Sequence, residues 1–181
     1  MAALALAVAA APGVAYAVSN GMVPRSFIEA YSGTDRAIDP AMARRVATVP
    51  GPDGSTCSVL TFKNDDGTTC LTHVFETAGS SKSALPDNFE GLTTRCEEVP
   101  SLRPFGPDGV EFVETATIWV AHAGSAVKGE VTMPTGETYP VAYAEGYLFG
   151  WYPLPARFGA DAPTLTAFDA DGSLVGKIKL G

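Results

Sequence analysis

The run Val141–Pro153, VAYAEGYLFGWYP, constrains this chain more than any other stretch, because a two-residue turn signal sits inside its densest group of aromatic residues. Glu145-Gly146 reads as a β-hairpin turn. That register sets Ala144 opposite Tyr147, Ala142 opposite Phe149 and Pro140 opposite Trp151 on one face, small residues against large ones. The other face carries Tyr139, Val141, Tyr143, Leu148, Gly150 and Tyr152, with Tyr143 facing Leu148 and Tyr139 facing Tyr152. Both faces are mostly apolar, so the hairpin belongs deep in a sheet; the Ala/Phe/Trp face is read as core. A hairpin cannot bury such an area alone. Flanking strands must supply a second layer, and the expected fold is all-β: a two-layer, Ig-like β-sandwich preceded by an N-terminal apolar helix.

A chain of 181 residues, 46% hydrophobic, holds one domain plus an extension. Its 19 glycines and 14 prolines fall mostly between apolar runs, as short strands joined by tight turns require. The formal net charge is −8 and the Lys and Arg residues form no cluster, which argues against nucleic acid as a partner.

From Ala2 to Val18 no residue is charged, and the first side-chain charge is Arg25. Ala15-Tyr16-Ala17 fits the small-x-small pattern read by signal peptidase, with Pro12-Gly13 ending the apolar helix before it. Residues 1–23 are therefore assigned as a signal peptide cleaved near Ala17 or as a single-pass membrane anchor, since about 20 apolar residues suffice to span. No basic residue precedes the run, unlike a usual signal peptide. The rival is an alanine-rich helix buried in a cytoplasmic domain. Residues 24–44 read as a short helical linker, with Phe27, Ile28 and Tyr31 at helical spacing and Asp39-Pro40 as a cap-and-N1 signal. Residues 45–181 form the β-sandwich domain. Both export readings place that domain outside the cytoplasm, secreted or held at the cell membrane.

Strands are expected at Arg45–Val49, Ser55–Lys63 and Thr68–Glu76, a meander punctuated by Pro50–Gly54 and Asn64–Gly67. From Thr77 to Pro100 the pattern fails, and the stretch reads as an exposed excursion rather than a strand. Pairing resumes after Pro107-Asp-Gly109, with Val110–Ala121 as the next strand. Val127–Met133 alternates apolar with polar residues, Pro134-Thr-Gly136 turns into the central hairpin, and Thr164–Phe168 with Leu174–Leu180 closes the domain around Asp169–Gly172. The count is eight or nine strands.

The last third, from VKGEVTMPTGETYPV through GYLFGWYP to LTAFDADGSLVG, resembles a recurring module of exported or membrane-anchored actinobacterial proteins. Its pattern is strand, P-x-G turn, strand, an aromatic strand ending in W-x-P, then L-x-x-[YF]-D-x-x-G. The resemblance implies fold rather than chemistry, because it rests on turn and core residues, and it carries over no catalytic residue.

The three cysteines are Cys57, Cys70 and Cys96. In a regular hairpin turning at Asn64–Gly67, Cys70 faces Thr61 or Lys63, which leaves Cys57 roughly 13–20 Å away along the strand. A disulfide needs Cα atoms within about 7 Å, so Cys57–Cys70 is excluded. The excursion lets Cys96 reach either of the others; the favoured bond is Cys70–Cys96, stapling the excursion, with Cys57 a small core residue, and in a cytoplasmic protein all three would be reduced. No C-x2-C pair exists and neither histidine stands at ligand spacing from a cysteine, so no metal site is expected. Asp169-Ala-Asp-Gly172 opens like a calcium loop but lacks the later ligands and the closing Glu, and reads as an Asp-Gly turn, as does Asn64–Gly67.

No G-x-S-x-G, S-x-x-K or H-E-x-x-H is present. His73 and His122 lie inside strand patterns and read as packed or surface residues rather than catalytic ones. No catalytic residue and no cofactor are assigned. The expected function is a non-enzymatic extracytoplasmic module for binding, sensing or structure at the cell envelope; its partner would be a protein, peptide or glycan. The alternatives are a membrane-anchored regulatory partner with an outer sensor domain, and a secreted hydrolase whose site carries no familiar motif. One candidate ligand patch is legible, Tyr139, Tyr143 and Tyr152, whose rings offer apolar area with polar tips. Its rival reading is a second core layer.

Overall fold

The computed structural model describes residues 43–63, 66–78, 86–96, 103–112, 116–154 and 161–181. Residues 1–23, and the 24–44 linker up to residue 42, lie outside the described residues. Eleven strands are described: β1 Arg44–Pro50, β2 Thr56–Lys63, β3 Thr69–Ala78, β4 Pro86–Cys96, β5 Gly106–Phe112, β6 Ala116–His122, β7 Lys128–Thr132, β8 Thr138–Ala144, β9 Tyr147–Pro153, β10 Thr164–Phe168 and β11 Leu174–Lys179. They form a four-stranded sheet in the order β1-β2-β3-β4 and a seven-stranded sheet in the order β11-β10-β7-β8-β9-β6-β5. The two sheets pack against each other, with β1 facing β8 and β2 facing β9.

The central hairpin turns where expected. Glu145 and Gly146 both adopt positive φ, 49° and 86°, as a two-residue turn matched to right-handed strand twist requires. Ala144 pairs with Tyr147, Tyr143 with Leu148 and Ala142 with Phe149. Beyond Val141 the register of β8 is set by β7 instead: Pro140 lies opposite Glu130 and Tyr139 opposite Val131, so the expected pairings of Pro140 with Trp151 and Tyr139 with Tyr152 are not the ones recorded. Trp151 is nonetheless buried on the Ala/Phe face, and its Nε1 donates across the sandwich to Pro50 O at 2.9 Å.

Both faces of β6 and β9 are core. On one, Ile118, Val120, Tyr147, Phe149 and Trp151 pack with Val49, Cys57, Val59, Leu71 and Phe75 of the four-stranded sheet. On the other, Trp119, Ala121, Leu148 and Tyr152 pack with Val131, Leu165, Ala167 and Leu180. β6 and β10 stand four places apart in their sheet, about 19 Å if it were flat. They share a core because the sheet rolls up, and glycines mark where it does. Trp119 lies over Gly150 and Phe105 over Gly176, in each case in the space a Cβ would occupy.

Three strand expectations are corrected. β4 runs through the supposed excursion, paired with β3 along its length apart from register shifts at His73/Phe75 and Thr77/Ala78; a strand held by a distant partner needs no alternation of its own. Val110–Ala121 is two strands rather than one, and pairing begins at Gly106, because Asp108 is absorbed as a β-bulge between Pro107 and Gly109 instead of forming a turn. Cys70 faces Phe62, not Thr61 or Lys63, since the connection between β2 and β3 is longer than a four-residue turn.

Candidate functional site

Cys70 and Cys96 stand directly opposite one another across β3 and β4 and are bonded, with Cα atoms 4.1 Å apart. Cys57 is the free cysteine among the described residues and is fully buried. Its Sγ lies 2.6 Å from His73 Nε2, because Cys57 and His73 are diagonal neighbours on the inner faces of β2 and β3.

A thiol beside an imidazole is the pairing a cysteine nucleophile uses, but activation needs thiolate and imidazolium to be accessible. Here burial works against both ions. It pushes the Cys57 thiol well above its usual range, with the Glu76 carboxylate adding to the rise, and it lowers His73 to about 3. Both groups are neutral at pH 7, and phenylalanine rings close the pocket edge-on to His73: Phe75 at 6.1 Å and Phe149 at 5.7 Å. His73 Nδ1 is buried without a hydrogen-bond partner, an arrangement that costs about 1–3 kcal/mol.

On the opposite face of the four-stranded sheet, Arg45 grips Glu76 with two hydrogen bonds, Nε to Oε1 at 2.8 Å and Nη2 to Oε2 at 2.5 Å. Ser58, Leu60, Phe62, Thr72 and Val74 are buried as well and belong to neither apolar cluster. β2 and β3, like β6 and β9, are thus covered on both sides.

The third constellation crosses between sheets. Arg95 of β4 donates through Nε to Asp108 Oδ2 of β5, and Asp108 Oδ1 lies 3.4 Å from His122 Nε2 of β6. The bulge aims the Asp108 side chain at both partners. His122 stacks at 5.1 Å on Tyr147, its strand neighbour. An aspartate-oriented histidine resembles two-thirds of a hydrolytic triad. Yet His122 Nδ1 is buried without a partner, and among the described residues no hydroxyl or thiol bonds to this ring. Sequence reasoning missed this group because its members are scattered over three strands and Pro107-Asp-Gly109 reads as a turn rather than as the bulge it forms.

The three tyrosines of the candidate patch are not gathered on one surface. Tyr143 is 41% exposed. Tyr152 is buried in the rolled half of the second sheet, its hydroxyl donating to Leu180 O at 2.8 Å. Tyr139 is half-buried at the seam between both clusters, its ring 5.1 Å from that of Trp151. Desolvation raises the phenol pKa of both Tyr152 and Tyr139, Glu137 adding to the second.

The aspartate turns are closed by their own backbone. Asp169 Oδ1 accepts from Asp171 N at 3.0 Å and Ser173 N at 2.8 Å, and Asp66 Oδ1 accepts from Thr68 N at 2.8 Å. Among the described residues no group of three or more His, Cys, Asp and Glu side chains could hold a metal ion. In comparisons with protein-family models, curated proteins and solved structures, none matches this chain.

Proposed function

We propose that this protein is an extracytoplasmic β-sandwich module that binds, senses or builds structure at the cell envelope, without catalytic turnover. The observation that carries the reading is the Cys70–Cys96 disulfide, a bond that persists in oxidising compartments and is kept reduced in the cytosol of most organisms. The uncharged run before Arg25 supplies a means of export. The non-enzymatic part rests on Cys57 and His73, the cysteine–histidine pair, lying neutral and sealed in the core. Packing of two sheets supports the Ig-like reading of the sandwich, although the sequential order β1-β2-β3-β4 differs from the interleaved order of Ig domains.

The test is the mature N-terminus and cysteine state of protein isolated from its own cells. Processing near Ala17, or retention in the membrane fraction, together with a linked Cys70–Cys96 peptide, is the expected result. Full-length protein in the soluble cytoplasm with all three thiols free overturns the reading.

A secreted hydrolase is the second reading, and the specific observation in its favour is the Asp108–His122 pair. His122→Ala then abolishes hydrolysis of any substrate found by an activity-probe screen. A probe that labels the wild type and the variant equally ends that alternative.

A further inference from the structure

Two tethers converge where the four-stranded sheet hands over to the seven-stranded one. The first is covalent. Cys70 is buried and Cys96 is an exposed residue, so Cys96 is the half of the disulfide nearer solvent. The second is ionic. Arg95 pairs with Leu71, one step from the Cys70–Cys96 pair, and therefore points to the other side of the strand. There it meets Asp108 of β5, and its Nη2 fills the space beside Gly109 where a Cβ would stand. Nη1 donates to Thr94 O at 3.0 Å, fixing the guanidinium plane. Asp108 in turn reaches His122 on β6.

β4 is an edge strand, so β3 alone holds its backbone among the described strands. The longest unbroken run of that pairing lies between His73 and Cys70, the end carrying both tethers. The covalent link fixes where residue 96 lies, and the ionic link of residue 95 depends on it, because a strand whose end frays carries its side chains with it.

We propose that the Cys70–Cys96 disulfide is a redox latch on the contact between the sheets: reduction by a dithiol frees the end of β4 and parts Arg95 from Asp108. A thiolate of the dithiol attacks the sulfur of the exposed residue Cys96, and Cys70 departs as a thiolate that takes a proton from solvent. The second thiol of the reductant then displaces Cys96 from the mixed disulfide. Two electrons pass to the protein, and the dithiol leaves as its own disulfide. The latch rests on the geometry of this margin and holds whichever compartment the protein occupies.

The experiment is hydrogen exchange on the full chain, oxidised and after treatment with dithiothreitol, together with the equilibrium constant for that reduction in wild type, Arg95→Ala and Asp108→Asn. Reduction is expected to remove amide protection from β4 and β5 while β10 and β11 keep theirs. Oxidised Asp108→Asn is expected to lose protection in β5 alone. Because coupling is reciprocal, both variants become easier to reduce, by about five-fold for a partly buried pair. Loss confined to β4, with the reduction equilibrium unchanged in both variants, overturns the latch. Loss spreading to β10 and β11 overturns it too, since the bond would then hold the whole fold rather than this margin.

Discussion

His73 Nε2 lies 2.6 Å from Cys57 Sγ in the space between the two sheets, with neither residue exposed to solvent. This buried pair makes the fold sensitive to acid through one identifiable group. His73 falls from an ordinary 6.5 to about 3 on burial, so between these values the unfolded chain binds a proton that the folded chain refuses. Stability is then highest above pH 6.5 and is lost as pH falls toward 3, at roughly 1.4 kcal/mol per pH unit from this residue. Urea unfolding at pH 7 and pH 5 measures it. His73→Gln should flatten the slope by about one proton, and an unchanged slope refutes the assignment.

Cys57 should be silent in the native protein. Its thiol is sealed and its pKa is raised by burial, so thiol reagents should modify it only after unfolding. Non-reducing peptide mapping is expected to recover Cys70 linked to Cys96. A native protein that titrates rapidly for one thiol, or a Cys57–Cys70 peptide, would contradict the structure.

The tyrosines separate by substitution. Tyr143→Ala should change stability by no more than about 0.5 kcal/mol, since the ring is exposed. Tyr152→Phe should cost about 1 kcal/mol for the lost bond to Leu180 O. Trp151→Ala should cost about 3–5 kcal/mol, the ring being buried and bonded to Pro50. Chemical denaturation ranks all three, and a Tyr143→Ala loss as severe as that of Trp151→Ala would make Tyr143 a core residue.

Arg45 and Glu76 form a buried ion pair, and the two ways of removing it should give opposite results. Glu76→Gln leaves the guanidinium without its carboxylate and should destabilise by about 3–5 kcal/mol, whereas replacing both with Met and Leu should be neutral or stabilising. Additive losses in the double variant would refute this.

Gly150 is required by its neighbour rather than by its own backbone. Trp119 occupies the place of its missing side chain, so Gly150→Ala should cost about 1–3 kcal/mol through overpacking. Thermal unfolding indistinguishable from wild type would show that the indole can shift freely.

Much of the fold was legible because it is written in local terms. A Glu-Gly turn with both residues at positive φ, alternation along β7 and the Asp-Gly turn before β11 need nothing beyond neighbours in sequence. Strand spacing excluded Cys57–Cys70 even though the register was one residue off, and left Cys96 able to reach either of the others; the structure bonds it to Cys70. β4 was not legible, since its partner β3 supplies the order that its own composition lacks. Nor was the start of β5 at Gly106, where the bulge at Asp108-Gly109 mimics a turn signal.

The sequence by itself determined an all-β chain, the hairpin at Glu145-Gly146 and the apolar character of both its faces. Tertiary structure decided what covers each face. The four-stranded sheet lies over Phe149 and Trp151, and the rolling of the seven-stranded sheet turns Tyr152 from a surface candidate into core. It also decided which polar groups meet, bringing Cys57 to His73 and joining Arg95, Asp108 and His122 from three strands. The reason is range. Dihedral preference and side-chain alternation act over a few residues, whereas the burial of a face depends on strands dozens of residues away whose approach no local pattern encodes.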